Sequence, residues 1–157
     1  MSFTKAKEHL MKHGMENRVM EFDVSSATVG EAAKAVGSSE GEIAKTLSFI
    51  VDEKPILIVV AGDRKIDNAK YKALFHTKAK MVPFESVEEL IGHAVGGVCP
   101  FGINKGVEVY LDESLKRFEI VYPACGSSNS AVKLNIEELE KTSEYKSWVD
   151  VCKLTDG

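Results

Sequence analysis

The stretch Lys45-Thr46-Leu47-Ser48-Phe49-Ile50-Val51-Asp52-Glu53-Lys54-Pro55-Ile56-Leu57-Ile58-Val59-Val60-Ala61 reads as two strands joined by a tight turn. Leu47 to Val51 and Ile56 to Ala61 are rich in β-branched and aromatic residues, and Asp52-Glu53-Lys54-Pro55 between them has hairpin chemistry. The second strand carries no polar residue. A strand facing water on one side would alternate, so this one is expected to be covered on both faces.

Working outward toward the N-terminus, Phe3, Ala6 and Leu10 share one face of a helix predicted over Phe3 to His13 and ended by Gly14. Arg18 to Phe22 suits a short strand. Thr28-Val29-Gly30-Glu31 is a capping box whose helix runs through Ala32, Ala33 and Val36 to Gly37. Ser39-Glu40-Gly41-Glu42 is a second capping box, predicted to open a short helix through Ile43 and Ala44. That helix would leave Lys45 at a helix-to-strand junction. In the other direction come a helix over Asn68 to Phe75, a strand over Ala79 to Val82, and a third capping box, Ser86-Val87-Glu88-Glu89, followed by Leu90 and Ile91. Strands are predicted over Val107 to Leu111, Phe118 to Tyr122 and Ala131 to Leu134, and Asn135 caps a last helix. No repeat or linker divides the chain. The expectation is one α+β domain over residues 1–157, with a mixed, largely antiparallel central sheet flanked by short helices.

Bulk properties restrict the function. The chain has 157 residues, 44% hydrophobic and 28% charged, which suits a soluble domain with its own core. No apolar run reaches the roughly 18 residues of a membrane span, and the start Met1-Ser2-Phe3-Thr4-Lys5 lacks a signal-peptide core, so a cytoplasmic location without membrane attachment is expected. Cys99, Cys125 and Cys152 are odd in number and contain no Cys-x-x-Cys pair, which argues against a disulfide framework or a zinc site. His9 and His13 have helical spacing but lie in a Lys-rich segment without an acidic partner for a metal motif, so they and His76 and His93 read as adventitious surface histidines, with no metal or cofactor expected. A net charge of -4 disfavours non-specific duplex DNA binding. The stretch from Asp63 to Lys80 nevertheless holds six cations (Arg64, Lys65, Lys70, Lys72, Lys78, Lys80) against Asp63 and Asp67. It is either a solvated helix face or a nucleic-acid contact.

Phosphate-loop and nucleophile-elbow signatures are absent. Three segments stand out. Lys45 either lays its stem over the core edge or holds a positive charge at a cleft rim, where it could meet a phosphate or polarised carbonyl. Gly92-His93-Ala94-Val95-Gly96-Gly97-Val98-Cys99-Pro100-Phe101-Gly102 packs four glycines and a proline into eleven residues. This is either a structural crossover or a loop whose bare backbone touches a ligand. Ala124-Cys125-Gly126-Ser127-Ser128-Asn129-Ser130 could line a polar pocket or make ordinary turns. Cys99 and Cys125 are conceivable nucleophiles, but no motif links a base to either.

Together and in order, Lys45-Thr46-Leu47, Ala61-Gly62-Asp63, Gly92, the segment Gly96-Gly97-Val98-Cys99-Pro100-Phe101-Gly102, and Gly126 resemble the YbaK/EbsC family, free-standing relatives of the editing domain of prolyl-tRNA synthetases. The resemblance runs from about Phe22 to Leu139. It implies a trans-acting, metal-independent deacylase that hydrolyses the ester of mischarged tRNA. Its partners would be the 3′ acceptor end of that tRNA and, in addition, prolyl-tRNA synthetase. By the same resemblance Lys45 and Gly96 are the catalytic positions. Substrate would be held by Phe22, Thr46, Gly97, Val98, Cys99, Pro100, Phe101, Gly102, Gly126, Ser127, Ser128 and Asn129. Relatives that clear cysteinyl-tRNA carry an aspartate where this chain has Ala131, so their side-chain specificity does not carry over. Two competing readings are a non-catalytic module binding an amino acid or aminoacyl nucleotide, and a cysteine-dependent redox enzyme.

Overall fold

The computed structural model describes residues 2–154; Met1 and residues 155–157, the ends of the domain expected over 1–157, lie outside the described residues. The helices are α1 (Ser2–Lys12), α2 (Val29–Val36), α3 (Asn68–Phe75), α4 (Val87–Ile91) and α5 (Ile136–Ser143). The strands are β1 (Val19–Glu21), β2 (Ile43–Val51), β3 (Lys54–Ala61), β4 (Arg64–Ile66), β5 (Glu108–Asp112), β6 (Ile120–Pro123), β7 (Ser130–Val132), β8 (Leu134–Asn135), β9 (Ser147–Val149) and β10 (Cys152–Leu154). The central sheet has the order β8-β6-β2-β3-β5-β9, and the pairs β1-β7 and β4-β10 stand outside it. The sheet is mixed. Its longest ladder, β2 on β3, is antiparallel with Lys45 opposite Val60, whereas β3-β5, β5-β9 and β2-β6 are parallel.

The apolar strand is indeed covered twice. Leu57, Val59 and Ala61 of β3 enter the larger core with Ala6 and Leu10 of α1, Ile91 of α4 and Leu139 of α5. Ile56, Ile58 and Val60 enter a second core with Tyr71 of α3, Val149 and Val151. Each fully buried aliphatic side chain stabilises by about 1.5–3 kcal/mol, so this one strand anchors both layers. Capping fixes the flanks. Thr28 accepts from the N–H of Glu31 while the Glu31 carboxylate accepts from Thr28, and Asn135 and Glu138 do the same at α5. Gly37 ends α2 at φ 76°.

Several local expectations are corrected. Ser39 to Glu42 makes one 3-10 turn, and the β-branched Ile43 already opens β2. Lys45 is therefore the third residue of a strand, not a junction residue. The turn uses only Asp52 and Glu53, both with positive φ (50° and 67°), so Lys54 and Pro55 belong to β3. Residues 79–82 form no strand; only Met81 bridges to Phe49. Ser86 makes no side-chain cap, because Phe84–Ser86 is itself a 3-10 turn leading into α4. The strand expected over Ala131 to Leu134 is split into β7 and β8, which pair with different partners. No helix among the described residues is long and apolar enough to cross a membrane.

Candidate active site

A break in the sheet creates the site. β6 pairs with β2 only at Ile43 and Ala44. Further along the same edge, the Val82 N–H donates to the Ser48 carbonyl (3.1 Å) and the Ile50 N–H to the Lys80 carbonyl (2.8 Å). Between these two attachments the edge of Lys45-Thr46-Leu47 has no partner strand among the described residues. In an antiparallel strand the backbone groups of alternate residues point to the same side. Ser48 and Ile50 point outward, so the N–H and C=O of Thr46 do as well, into the gap. A cleft of about 380 Å³ straddles it.

The pleat distributes side chains on both sides of this edge. Ile43, Lys45 and Leu47 share the face on which Ile43 packs with Val29 and Ala32 of α2. Ala44, Thr46 and Ser48 share the other face, on which Ala44 joins a core with Val82, Val87 and Val98. All of these line the cleft, as do Ser26, Ser130, Ala131, Tyr122, Ala124 and, at its apolar rim, Met81, Phe84 and Val95. Lys45 is the only charged residue in the lining, which contains no His, Cys, Asp or Glu among the described residues. It is half-buried, and its ammonium forms no hydrogen bond or ion pair among them. Burial holds its pKa below the usual lysine range, opposed by Cys152 and Asp63. The Asp63 carboxylate is itself committed to Arg117, at 2.6 Å. The Thr46 Oγ1 is buried without a hydrogen-bond partner among the described residues.

Of the site residues implied by the resemblance, the fold brings Lys45, Thr46, Gly96 and Val98 to the lining. The Gly97 N–H donates to the Ala94 carbonyl (3.0 Å), closing a turn whose third residue, Gly96, has φ 96°. Gly97 itself lies behind the lining. A Cβ there would fall 2.5 Å from the carbonyl carbon of Gly126 and the nitrogen of Ser127, so the two glycine-bearing loops touch backbone to backbone. Pro100 is buried, and Cys99 and Phe101 are fully so, in the larger core; Gly102 backs onto the Lys5 carbonyl of α1. Ser127, Ser128 and Asn129 are outside the lining and spend their bonds on one another and on neighbouring backbone. The Ser127 hydroxyl meets Asn129 Oδ1 (3.0 Å) and Ser130 Oγ (2.6 Å). The carbonyls of Asn129 and Ser128 accept from the N–H groups of Phe22 and Ser26 (2.8 and 2.6 Å). Phe22 is held as part of this clasp, outside the lining, and the clasp brings Ser26 into it. Sequence reading did not find Ser26, Val29, Ala32, Tyr122 or Phe84, because the break in the sheet that gathers them is a property of topology with no local signal.

Neither candidate thiol is suited to attack. Cys99 and Cys125 are fully buried, and burial pushes the Cys99 thiol far above, and the Cys125 thiol to about 12 from, their ordinary value of 9.0. His93, expected at the surface, is fully buried because its ring bonds the inner face of the glycine loop: Nε2 lies 3.5 Å from Cys99 Sγ but 2.5 Å from the Phe101 carbonyl. A nitrogen that donates to that carbonyl has no lone pair left to take the thiol proton.

The sequence profile of the aminoacyl-tRNA editing domain matches residues 24–142. The chain belongs to the aminoacyl-tRNA editing domain family. The editing domain is 51% identical to the uncharacterized protein YwhH of Bacillus subtilis over 98% of each chain. It is 28% identical to the proline–tRNA ligase of Bacillus cytotoxicus over 74% of its own length but only 21% of the ligase, so it spans about a fifth of that enzyme. A solved structure described as a candidate trans-editing enzyme for prolyl-tRNA synthetase superposes with a TM-score of 0.86 at 31% identity, covering 99% of this chain and 98% of that one.

Proposed function

We propose that this editing domain is a trans-acting deacylase that hydrolyses the ester linking a mischarged amino acid to the 3′ end of a tRNA. The observation that carries the reading is the open edge of β2, where one half-buried cation, Lys45, stands beside free backbone groups in a cleft lined otherwise by apolar and hydroxyl side chains. Ester hydrolysis needs stabilisation of a developing oxyanion and orientation of the attacking water. Preorganised donors in a site that excludes water are effective at the first, typically by 10²–10³-fold per donor. Here the Thr46 N–H, the Gly96 turn and Lys45 are the available donors. With no carboxylate or imidazole in the lining, the vicinal ribose hydroxyl of the substrate orients the water, and this set of residues offers no metal ligands.

Phe84, 74% exposed at the rim, supplies a face on which the terminal adenine stacks. The apolar walls suit an uncharged amino-acid side chain. Ala131 leaves no acidic contact for that side chain at its position.

Deacylation of a panel of mischarged tRNAs by wild-type and Lys45→Ala protein tests the proposal. Turnover of at least one uncharged aminoacyl ester, lost at least ~100-fold in the variant, is the expected result. Saturable binding of the aminoacyl group without turnover would make the protein a binding module and overturn it.

A further inference from the structure

We infer that His9, His13 and Glu144 form a binding site for a divalent transition-metal ion of the zinc class, which clasps α1 to the end of α5. His9 and His13 lie one turn apart at the end of α1, with no acidic residue at the spacing a local metal motif would require. The fold supplies the acid from the far end of the chain. Glu144, the residue that terminates α5, places Oε2 3.4 Å from His9 Nε2 and 3.6 Å from His13 Nε2. All three donor atoms lie within 4.8 Å of one another. Zinc–nitrogen and zinc–oxygen bonds of about 2.0–2.2 Å in a tetrahedron place neighbouring donors roughly 3.3–3.6 Å apart. The two carboxylate–imidazole distances already fall there.

Burial and ring packing support the same reading. The imidazoles are mostly enclosed (17% and 22% exposed) while Glu144 is 65% exposed, so the donors converge from a wall and the open side faces water. The His9 ring is held by the His13 ring at 5.3 Å and the Phe101 ring at 6.0 Å. Glu144 sits at φ 52°, ψ 44°, a left-handed conformation that glycine or asparagine fills more readily at a helix end. Two imidazoles and one carboxylate, with a water completing the tetrahedron, form a donor set zinc favours over calcium or magnesium. His9 Nε2 now lies 2.6 Å from the Thr142 carbonyl, as a donor to it. Metal binding requires Nε2 to give up this hydrogen bond and turn its lone pair to the ion, with the ring proton carried on Nδ1.

The site lies outside the cleft lining, but α1 backs both of its loops. Gly102 abuts the Lys5 carbonyl, and Gly126 abuts the Ser2 carbonyl, which leaves room for no side chain at either glycine. A cation joining α1 to α5 therefore steadies the loops from behind and takes no part in the ester chemistry.

The test uses the whole protein, stripped with EDTA and titrated with zinc by calorimetry and thermal melting. One-to-one binding is expected, with a thermal midpoint raised by roughly 5–10 °C at about 100-fold excess over Kd. Cobalt in place of zinc should give the visible bands of a tetrahedral ion. His13→Ala and Glu144→Gln should abolish binding, the cobalt bands and the midpoint shift, while the metal-free midpoint and deacylation stay near wild type. Absence of saturable binding and of cobalt bands in the wild-type protein overturns the inference without any variant having to fold. Binding that survives unchanged in both variants places the ion elsewhere, for example at His76, and overturns it equally.

Discussion

Lys45 and Thr46 are adjacent on β2 and project from opposite faces of the sheet, yet both line one cleft. This is possible only because the strand edge between them is unpaired, so the cleft wraps around the edge. Lys45 comes from the α2 side and Thr46 from the side of the glycine loop. A substrate laid along the edge, as proposed, would meet the cation and the backbone donors from two directions.

The burial of Lys45 has a stability consequence with a definite sign. Its folded pKa is lowered, so the unfolded chain binds its proton more tightly, and holding the charge in the cleft opposes folding. That cost is complete at neutral pH and disappears as pH rises from the lowered folded pKa toward 10.5, the value in the unfolded chain. Lys45→Met is therefore expected to lose turnover at least ~100-fold while being as stable as wild type or more so at pH 7. Its advantage in urea unfolding should shrink toward pH 10. A variant that is clearly less stable at pH 7 would show that the lysine is held for packing, not for function.

The glycines of the loop differ in what they do. Gly96 has room for a Cβ, which would make only ordinary contacts with Ser128 (3.5 Å) and Ala27 (3.6 Å), but its φ is 96°. Gly97 has ordinary φ but no room. Gly97→Ala should separate the two loops and cost several kcal/mol of stability, on the scale of overpacking a tight core. Gly96→Ala should leave a folded protein about 1–2 kcal/mol weaker, with turnover strongly reduced because the turn re-aims its backbone. Cys99→Ser, buried behind the lining, should retain most of its turnover per folded molecule. If Cys99→Ser is inactive and Gly96→Ala active, the backbone mechanism fails and a thiol must be sought.

The basic stretch divides into two groups. Lys70 is committed: its ammonium bonds the Asp150 carboxylate and the Cys152 carbonyl, both at 3.0 Å, and so staples α3 to the C-terminal strand. Lys72, Lys78 and Lys80 are exposed. Lys70→Glu should lower the thermal midpoint with little specific effect on tRNA. Lys72→Glu with Lys78→Glu should raise KM for tRNA and reduce its salt dependence by about two phosphate contacts. An unchanged KM and salt slope in the double variant means that the stretch is a solvated face.

How far the sequence could be read depended on the range of the signals. The covered strand, α2 and α5 were legible because apolar runs and capping boxes act within a few residues. The strands β4, β9 and β10 were not, since each is three residues long and is held by a partner distant in sequence, as Cys152 is by Ile66. The same limit applies to the site. Lys45, Thr46, Gly96 and Val98 stood in recognisable local patterns, whereas Tyr122 and Ala32 reach the cleft only because β6 leaves β2 after Ala44. Glu144 is the extreme case, meeting His9 across nearly the whole chain.

Phe84 offers the sharpest separation of binding from chemistry. A large aromatic side chain that is 74% exposed contributes little to folding, and its truncation should leave the thermal midpoint within a degree or two of wild type. If it stacks on the terminal adenine, Phe84→Ala forfeits about 1–3 kcal/mol of base–aromatic contact. This contact is made equally in the ground and transition states, so the loss should appear as a KM raised roughly 10-fold with kcat little changed. Phe84→Trp keeps a stacking face and should restore KM. A small aminoacyl ester lacking the adenosine should be hydrolysed equally well by wild type and Phe84→Ala. Equal impairment on that truncated substrate would move Phe84 from the nucleotide to the amino-acid end of the cleft, and an unchanged KM for tRNA would remove it from the site altogether.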